Sequence, residues 1–150
     1  MDTLSQARPG RARCRVAPAV LSLLQSARQG LAEAAEEGGA GSRYVAAHLA
    51  ALRAAAAIVA ARPEAGTGPR RKAPKRVWEL LPRVEPALAE WAAFFAAGAR
   101  KRAAAEAGLA RAVSRAEADD LLRDAETFLS LVEDALGVTV HPVLPLRSVG

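Results

Sequence analysis

The sequence is poor in the residue types that carry most enzyme chemistry. Its 150 residues include one cysteine, two histidines and one tyrosine. A single cysteine cannot form a disulfide within the chain, and the sequence has no cluster of soft metal ligands. We therefore expect no internal disulfide, no metal site and no cofactor. Cysteine usage of this kind is typical of a reducing cytoplasm, which is the location that we predict.

Long hydrophobic runs are also missing. The longest apolar stretch, Val45 to Ala61, consists mostly of alanine and is interrupted by His48 and Arg53. It is too short and too polar to span a bilayer. The N-terminal MDTLSQARPGRARCR lacks the apolar core of a signal peptide. We therefore expect no membrane contact.

Alanine dominates what is present. There are 38 alanines, and aromatic residues make up only 4% of the chain. Alanine has the highest intrinsic helix propensity, so the composition predicts an all-α protein. A chain of this length suits one domain and can bury roughly 68–70% of its unfolded surface. A single helical domain with a core of its own is the expected product.

Apolar periodicity divides the chain into four long helices and one short helical piece. Ser42 is the expected N-cap of the second helix, and Ser114 with Glu117 fits a capping box at the start of the last. Gly108 and Gly137 are the expected stops of the third and fourth long helices. The predicted helices cover about 18–37, 43–62, 85–107 and 114–137, with the short piece around 78–81. A compact antiparallel four-helix bundle, four long helices plus one short, is the simplest arrangement.

Polar segments flank and interrupt this bundle, which we place at residues 17–137. Residues 1–16, which include Cys14, read as a disordered basic arm. Residues 63–76, PEAGTGPRRKAPKR, read as a mobile basic loop. The tail 138–150, with His141, is expected to be extended or disordered.

The apolar stripes give the predicted core. On the second helix the stripe is Val45, Leu49, Leu52, Ala56 and Val59. The large aromatic residues lie on helical stripes and are predicted to be core: Trp78, Trp91, Phe94, Phe95 and Phe128. Because Phe94 and Phe95 are adjacent, both cannot face one narrow stripe. One of them is therefore a candidate contact with a partner subunit.

Several reaction types lack their residues in this sequence. There is no Gly-rich phosphate loop followed by Lys and Ser or Thr. No His-Glu-x-x-His segment or paired carboxylate–histidine helices appear. Nothing marks a nucleophile next to a base with an orienting third group. The pair that deserves weighing is Arg43 and His48, separated by four residues at the start of the second helix.

This pair and the helices around it resemble the HEPN superfamily, in particular a small actinobacterial subfamily. An Arg-x4-6-His motif on a helix of a small bundle is the signature of that superfamily. The stretches that carry the resemblance are RYVAAHLAALRAAAA, VWELLPRVEPALAEWAAFFAAGARKRAAAEAG and EADDLLRDAETFLSLVEDAL. Together they cover most of residues 41–136.

The resemblance implies a bundle of four or five helices that is often a homodimer. Catalytic members of the superfamily are metal-independent ribonucleases. By the same resemblance, Arg43 would hold the scissile phosphate and His48 would exchange a proton with the 2′-hydroxyl or the leaving oxygen. The motif residues of such enzymes usually meet across a dimer cleft.

The residues themselves leave an alternative open. On one helix Arg43 and His48 point about 140° apart, so convergence on a phosphate needs a long reach or a second subunit. The family pattern usually has a polar residue after the Arg, where this chain has Tyr44, and the motif usually lies on a later helix. His48 is then a packing residue at the border of the buried face. The alternative function is a catalytically silent HEPN-like bundle that binds a protein or nucleic-acid partner.

Basic residues supply a second hypothesis about partners. The predicted loop contains Arg70, Arg71, Lys72, Lys75 and Arg76, which could follow the phosphates of RNA or another nucleic acid. A DNA-associated accessory role is a further reading of the same segments. The opposing interpretation uses the last helix, where seven acidic residues stand against two arginines between Ser114 and Gly137. That helix could attract the basic segments within the molecule or in a dimer.

Overall fold

A computed structural model describes residues 16–62, 74–109 and 111–138 of the chain. Predictions for the basic arm before residue 16, for loop residues 63–73 and for the tail after residue 138 lie outside these ranges. Cys14, His141, Arg70, Arg71 and Lys72 are among the residues left outside. Val16 and Val138, at the inner edges of the predicted arm and tail, pack partly against the core.

Every regular element within the described residues is a helix, which confirms the predicted all-α class. The short piece predicted around Trp78 is an eleven-residue helix. A single 3₁₀ turn, Pro86–Leu88, leads into the helix that follows it. The five helices are α1 (Pro18–Glu36), α2 (Ala40–Ala61), α3 (Pro74–Val84), α4 (Ala89–Glu106) and α5 (Arg115–Leu136).

Helix α2 lies at the centre of the bundle. It packs against α1 and α5, and also against α3 and α4, while α1 touches α5 and α3 touches α4. Small side chains allow close approach: a Cβ built on Gly30 of α1 would lie 3.4 Å from the Cβ of Ala50. The alanine-rich composition of α2 therefore serves close helix packing on more than one side.

The predicted stripe of α2 is wrong. Val45, Leu49, Leu52, Ala56 and Val59 are only partly buried. The buried residues of α2 are mostly alanines, joined by three larger side chains: Tyr44, His48 and Ile58. The error has a physical cause, since a central helix is buried over several faces, and its neighbours approach closely where the side chains are smallest.

The predicted ends of the last two helices are confirmed. The Ser114 hydroxyl accepts the Glu117 amide at 3.0 Å, and the Glu117 carboxylate accepts the Ser114 amide at 2.9 Å. Gly108 and Gly137 follow α4 and α5 with φ of 84° and 72°, a region that favours glycine. Ser42, in contrast, is not the N-cap of α2, because that helix begins two residues earlier.

Helix α3 begins inside the segment predicted as a loop. Because Pro74 opens it, Lys75 and Arg76 are helical, and proline is well suited to a first helical turn. Pro82 is accommodated near the other end of the same helix. The next helix, expected from about Glu85, starts through the 3₁₀ turn and continues as α4 from Ala89.

Aromatic side chains fill the contact between α3, α4 and α5. The Trp78 and Phe95 rings stack with centroids 5.3 Å apart, and Phe95 and Phe128 are 5.1 Å apart. Trp91 is half-buried beside them. Phe94, predicted as core, is instead 45% exposed. Of the two adjacent phenylalanines, Phe95 therefore points inward and Phe94 outward.

Among the described residues, one helix is long and apolar enough to cross a bilayer. It is the 22-residue α2, and half of its most apolar stretch is buried inside the bundle. The core helix of a soluble bundle has the same length and composition. The predicted absence of membrane contact stays a prediction.

Candidate functional site

His48 lies inside the core. Its side chain is 1% exposed and is surrounded by three aromatic rings, those of Tyr44, Trp78 and Phe95, at centroid distances of 5.9 to 6.3 Å. Its Nε2 atom lies 2.8 Å from the main-chain carbonyl oxygen of Phe95. The sequence-based alternative placed this residue at the border of the buried face, and the structure buries it more deeply than that.

Hydrogen bonding and burial define the state of the His48 ring. A carbonyl oxygen can only accept, so Nε2 carries the proton that is donated to Phe95. Burial lowers the pKa of His48, an effect that the hydrogen bond to Phe95 partly opposes. The ring is therefore neutral near pH 7, and Nδ1 presents an unprotonated lone pair. Among the described residues, no group forms a hydrogen bond with Nδ1.

Gly98 of α4 permits this close packing of the motif helix. A Cβ at Gly98 would lie 2.8 Å from the Tyr44 hydroxyl oxygen and 3.6 Å from the His48 ring. Helix α4 therefore presses its backbone directly against the Tyr44 and His48 side chains. Burial also raises the pKa of Tyr44, so its phenol is neutral at physiological pH.

Arg43 serves a different region of the bundle. Its guanidinium donates to the carbonyl oxygens of Ala34, Ala35 and Glu37, at 3.1, 3.2 and 2.9 Å. It also forms an ion pair with Asp119 of α5. Carbonyls at a helix C-terminus lack partners in the helix and carry partial negative charge. Arg43 satisfies those of α1 and joins α1, α2 and α5.

The structure does not bring the two motif residues together within one chain. Arg43 lines a depression of about 30 Å³ beside Gly38, Gly39 and Asp119. His48 lines a groove of about 670 Å³ between α2, α3 and α4. Each side chain also contacts a different set of helices. The catalytic role predicted for the pair stays a prediction that needs a second subunit or a rearrangement.

Comparison with known proteins provides the family. A family model for SAV_6107-like HEPN proteins, HEPN_SAV_6107, matches residues 32–133, which is more than half of the chain. The chain belongs to the HEPN family. The match includes α2 to α4, most of α5 and the end of α1, and therefore both motif residues. No curated protein and no solved structure matches the chain.

The basic residues of this HEPN chain are only partly described. Arg76 is half-buried on α3, and Lys75 lies on the same helix. Helix α4 carries a second short basic cluster, residues 100–102. In it, Lys101 donates to Glu117 at 2.9 Å, and the pKa of Lys101 is raised chiefly by this hydrogen bond. Arg102 is turned toward the His48 groove, where it is one of the lining residues. The residues predicted to bind nucleic acid thus stay an untested prediction.

The groove beside His48 is the feature of this HEPN bundle that the sequence did not reveal. Its walls come from three helices, and most of the lining of α4 is alanine. The sequence does contain the alanines that line the groove, at positions 89, 92, 93, 96 and 99. A row of alanines on a helix does not by itself distinguish a groove from ordinary helix surface. Within the described ranges, no group of three or more His, Cys, Asp or Glu side chains could hold a metal ion.

Proposed function

We propose that this HEPN chain is a catalytically silent bundle that binds a protein partner. The observation that carries the proposal is the state of the motif residues. The Arg43 guanidinium donates to three main-chain carbonyls, and His48 is buried with its one N–H donated to Phe95. A phosphate-binding arginine and a proton-exchanging histidine both need access to the substrate.

A half-exposed aromatic surface supplies the binding part of the proposal. Glu90, Trp91, Phe94 and Asp124 line a depression of about 320 Å³ between α4 and α5, here called the Phe94 surface. The rings of Trp91 and Phe94 meet edge to face, with centroids 6.2 Å apart. Exposed aromatic side chains beside polar ones are typical of protein interfaces.

Charge indicates what kind of partner fits this surface. Burial raises the pKa of the Asp124 carboxyl, and repulsion from Asp120 adds to it, while Arg123 acts in the opposite direction. A cation from a partner would stabilise the charged form of Asp124 and could stack on the Phe94 ring. The expected partner therefore presents a segment with Arg or Lys next to apolar residues. Nucleic acid is disfavoured here because its phosphates would meet these carboxylates.

The catalytic half of the proposal is tested with RNA. Purified protein is incubated with mixed RNA, with and without EDTA, beside Arg43→Lys and His48→Gln. These substitutions keep a cationic donor at 43 and an Nε2 donor at 48, so the fold should survive. No cleavage above buffer is the expected result. EDTA-resistant cleavage that disappears in both variants would establish the metal-independent ribonuclease instead.

The binding half is tested with synthetic probes. We expect a peptide of alternating Arg and Leu to bind more tightly than a peptide with Glu in place of Arg, and more tightly than a single-stranded RNA. Phe94→Ser and Asp124→Asn should each weaken that binding. Leu109→Ser is the matched control, since Leu109 is 60% exposed but lies outside the Phe94 surface. Preferential RNA binding that ignores Phe94→Ser would contradict the proposal.

A second copy of this chain is another possible protein partner. Homodimers are what the family resemblance implies, and the partly exposed stripe Val45, Leu49, Leu52, Ala56 and Val59 runs along α2 at heptad-like spacing. Sedimentation at several concentrations measures this directly. Loss of a dimer in Leu49→Ser but not in Phe94→Ser would place the self-contact on α2 and leave the Phe94 surface for a different protein.

A further inference from the structure

The groove beside His48 lies between α2, α3 and α4. Its volume of about 670 Å³ falls within the range of small-molecule sites, which often lie between the helices of bundles. Leu52 of α2 and Trp78 and Pro82 of α3 form apolar walls, and Glu79 of α3 is the one carboxylate in the described lining. We call this space the α4 groove, because α4 supplies its longest side.

Alanine creates the space in the α4 groove. Five alanines of α4 line it, spaced so that they follow one side of the helix from its first residue to position 99: Ala89, Ala92, Ala93, Ala96 and Ala99. From Ala89 to Arg102 the groove extends about 20 Å along the helix. A long, narrow, apolar ligand would fill such a space better than a compact one.

Arg102 closes one end of this apolar stretch. It is the only cationic side chain that the described lining contains. Among the described residues, its Nε atom has no hydrogen-bond partner, and Glu106 approaches that atom no closer than 3.9 Å. A guanidinium without a bidentate partner in this part of the chain favours an anionic head group, above all a carboxylate.

His48 also borders the groove, but it offers a ligand almost no surface. The Nε2 edge of its ring faces Phe95 and Gly98 of α4, and only 1% of the residue is exposed. Arg102 is therefore the polar group that orients a ligand in the groove.

We propose that the α4 groove binds an amphipathic carboxylic acid, with its carboxylate at Arg102 and its alkyl chain directed toward Ala89. The order of the groups follows from the helix. The groove continues for about 20 Å along α4 from Arg102 to Ala89, so its length accommodates an extended alkyl chain. The proposal is independent of catalytic silence and of the Phe94 surface.

Tryptophan fluorescence gives a direct readout. The chain has two tryptophans, and Trp78 lines the groove while Trp91 does not. In a Trp91→Phe background, the emission of Trp78 alone is followed during titration with laurate and dodecanol, each below the concentration at which it aggregates. We expect laurate to bind about tenfold more tightly than dodecanol, because only laurate carries a carboxylate that can pair with Arg102.

Two matched pairs of variants locate the ligand. Arg102→Leu should weaken laurate binding about ten- to a hundredfold, with partial rescue by Arg102→Lys, whereas Arg100→Leu removes an exposed cation of the same helix and should have no effect. Ala96→Phe should block the groove. Ala97→Phe is its control, because Ala97 is exposed on α4 but is not a lining residue.

The proposal would be overturned if dodecanol bound as tightly as laurate, or if Arg102→Leu and Arg100→Leu behaved alike. It would also be wrong if no probe bound and Ala96→Phe, but not Ala97→Phe, converted a dimer into a monomer. That outcome would make the α4 groove an interface between copies of the chain. Circular dichroism of each variant establishes that the fold is retained.

Discussion

The imidazole of His48 donates a hydrogen bond from Nε2 to the main-chain carbonyl oxygen of Phe95, across 2.8 Å. The bond joins the central helix α2 to α4 in a region that excludes water. It makes a residue of the family motif part of the core. Nε2 can donate this hydrogen bond whether the ring is neutral or protonated. Protonation of the ring would instead place a charged N–H at the buried Nδ1, which has no hydrogen-bond partner among the described residues.

This burial makes stability depend on pH in a predictable direction. The unfolded chain protonates His48 near the ordinary pKa of 6.5, whereas burial lowers the pKa in the folded state. Below pH 6.5 the unfolded state therefore binds more protons than the folded state, and acidification favours unfolding. We expect the free energy of unfolding to be fully retained above that pH and to decrease as the pH falls toward the lowered pKa. Urea unfolding at neutral and mildly acidic pH measures it.

His48→Gln is the control that isolates this effect. The glutamine amide can donate to the Phe95 carbonyl but does not titrate, while every carboxylate of the chain is the same in both proteins. We therefore expect the variant to lose less stability than the wild type between the two pH values. Equal losses in the two proteins would contradict the assignment of the effect to His48.

Arg43 is expected to matter for stability whether or not the chain cleaves RNA. Arg43→Ala removes the donors to the carbonyls of Ala34, Ala35 and Glu37, and leaves Asp119 without its cation. Charge-assisted hydrogen bonds to partly buried groups predict a loss of about 1–3 kcal/mol in the free energy of unfolding. Denaturant unfolding with an unchanged m-value would give that number.

Arg123→Ala is a suitable comparison for Arg43→Ala. Arg123 also forms an ion pair, with Asp120, but both side chains are 68% exposed. Exposed pairs of this kind contribute about 0–1 kcal/mol. If the two alanine variants were equally stable, the role of Arg43 in ending α1 and joining it to α5 would be refuted.

The fold was predictable because its signals are local. Alanine content indicated helices, and Ser114, Gly108 and Gly137 marked boundaries through hydrogen bonds and φ angles that depend on a few neighbouring residues. The start of α3 was missed because the Pro-rich, basic residues before Trp78 resemble a loop in composition. The buried face of α2 was missed because periodicity counts large residues, whereas a central helix is packed where its residues are small.

The site was less predictable because it depends on contacts between distant segments. The 140° separation on the helix correctly indicated that Arg43 and His48 diverge, but nothing local to Arg43 shows that its guanidinium reaches the end of α1. Likewise the burial of Phe95 follows from its contacts with the rings of His48, Trp78 and Phe128, which come from three other helices. The sequence predicts that the two phenylalanines face different directions, and only the packing of the helices shows which one is buried.

Ser114→Ala tests the capping box at the start of α5. Loss of the hydroxyl leaves the Glu117 amide without its acceptor at the first turn, and N-cap substitutions of this type cost about 1 kcal/mol. Ser130→Ala is the control, since Ser130 is exposed in the middle of the same helix, where alanine has the better helix propensity. We expect the first variant to unfold at lower denaturant concentration and the second to be unchanged or slightly more stable.

The neighbouring residues Phe94 and Phe95 give the sharpest contrast between core and surface. Phe95 is 0% exposed, so Phe95→Ala should lower the free energy of unfolding by about 3–5 kcal/mol through lost contacts and a cavity. Phe94→Ala should cost only about 1 kcal/mol, because Phe94 is 45% exposed and its loss leaves no closed cavity. Urea unfolding of both variants, followed by far-UV circular dichroism, measures the two values. If Phe94→Ala lost as much stability as Phe95→Ala, the Phe94 ring would be covered in solution, as it would be in a stable dimer. In that case the stability lost in Phe94→Ala would decrease when the protein is diluted.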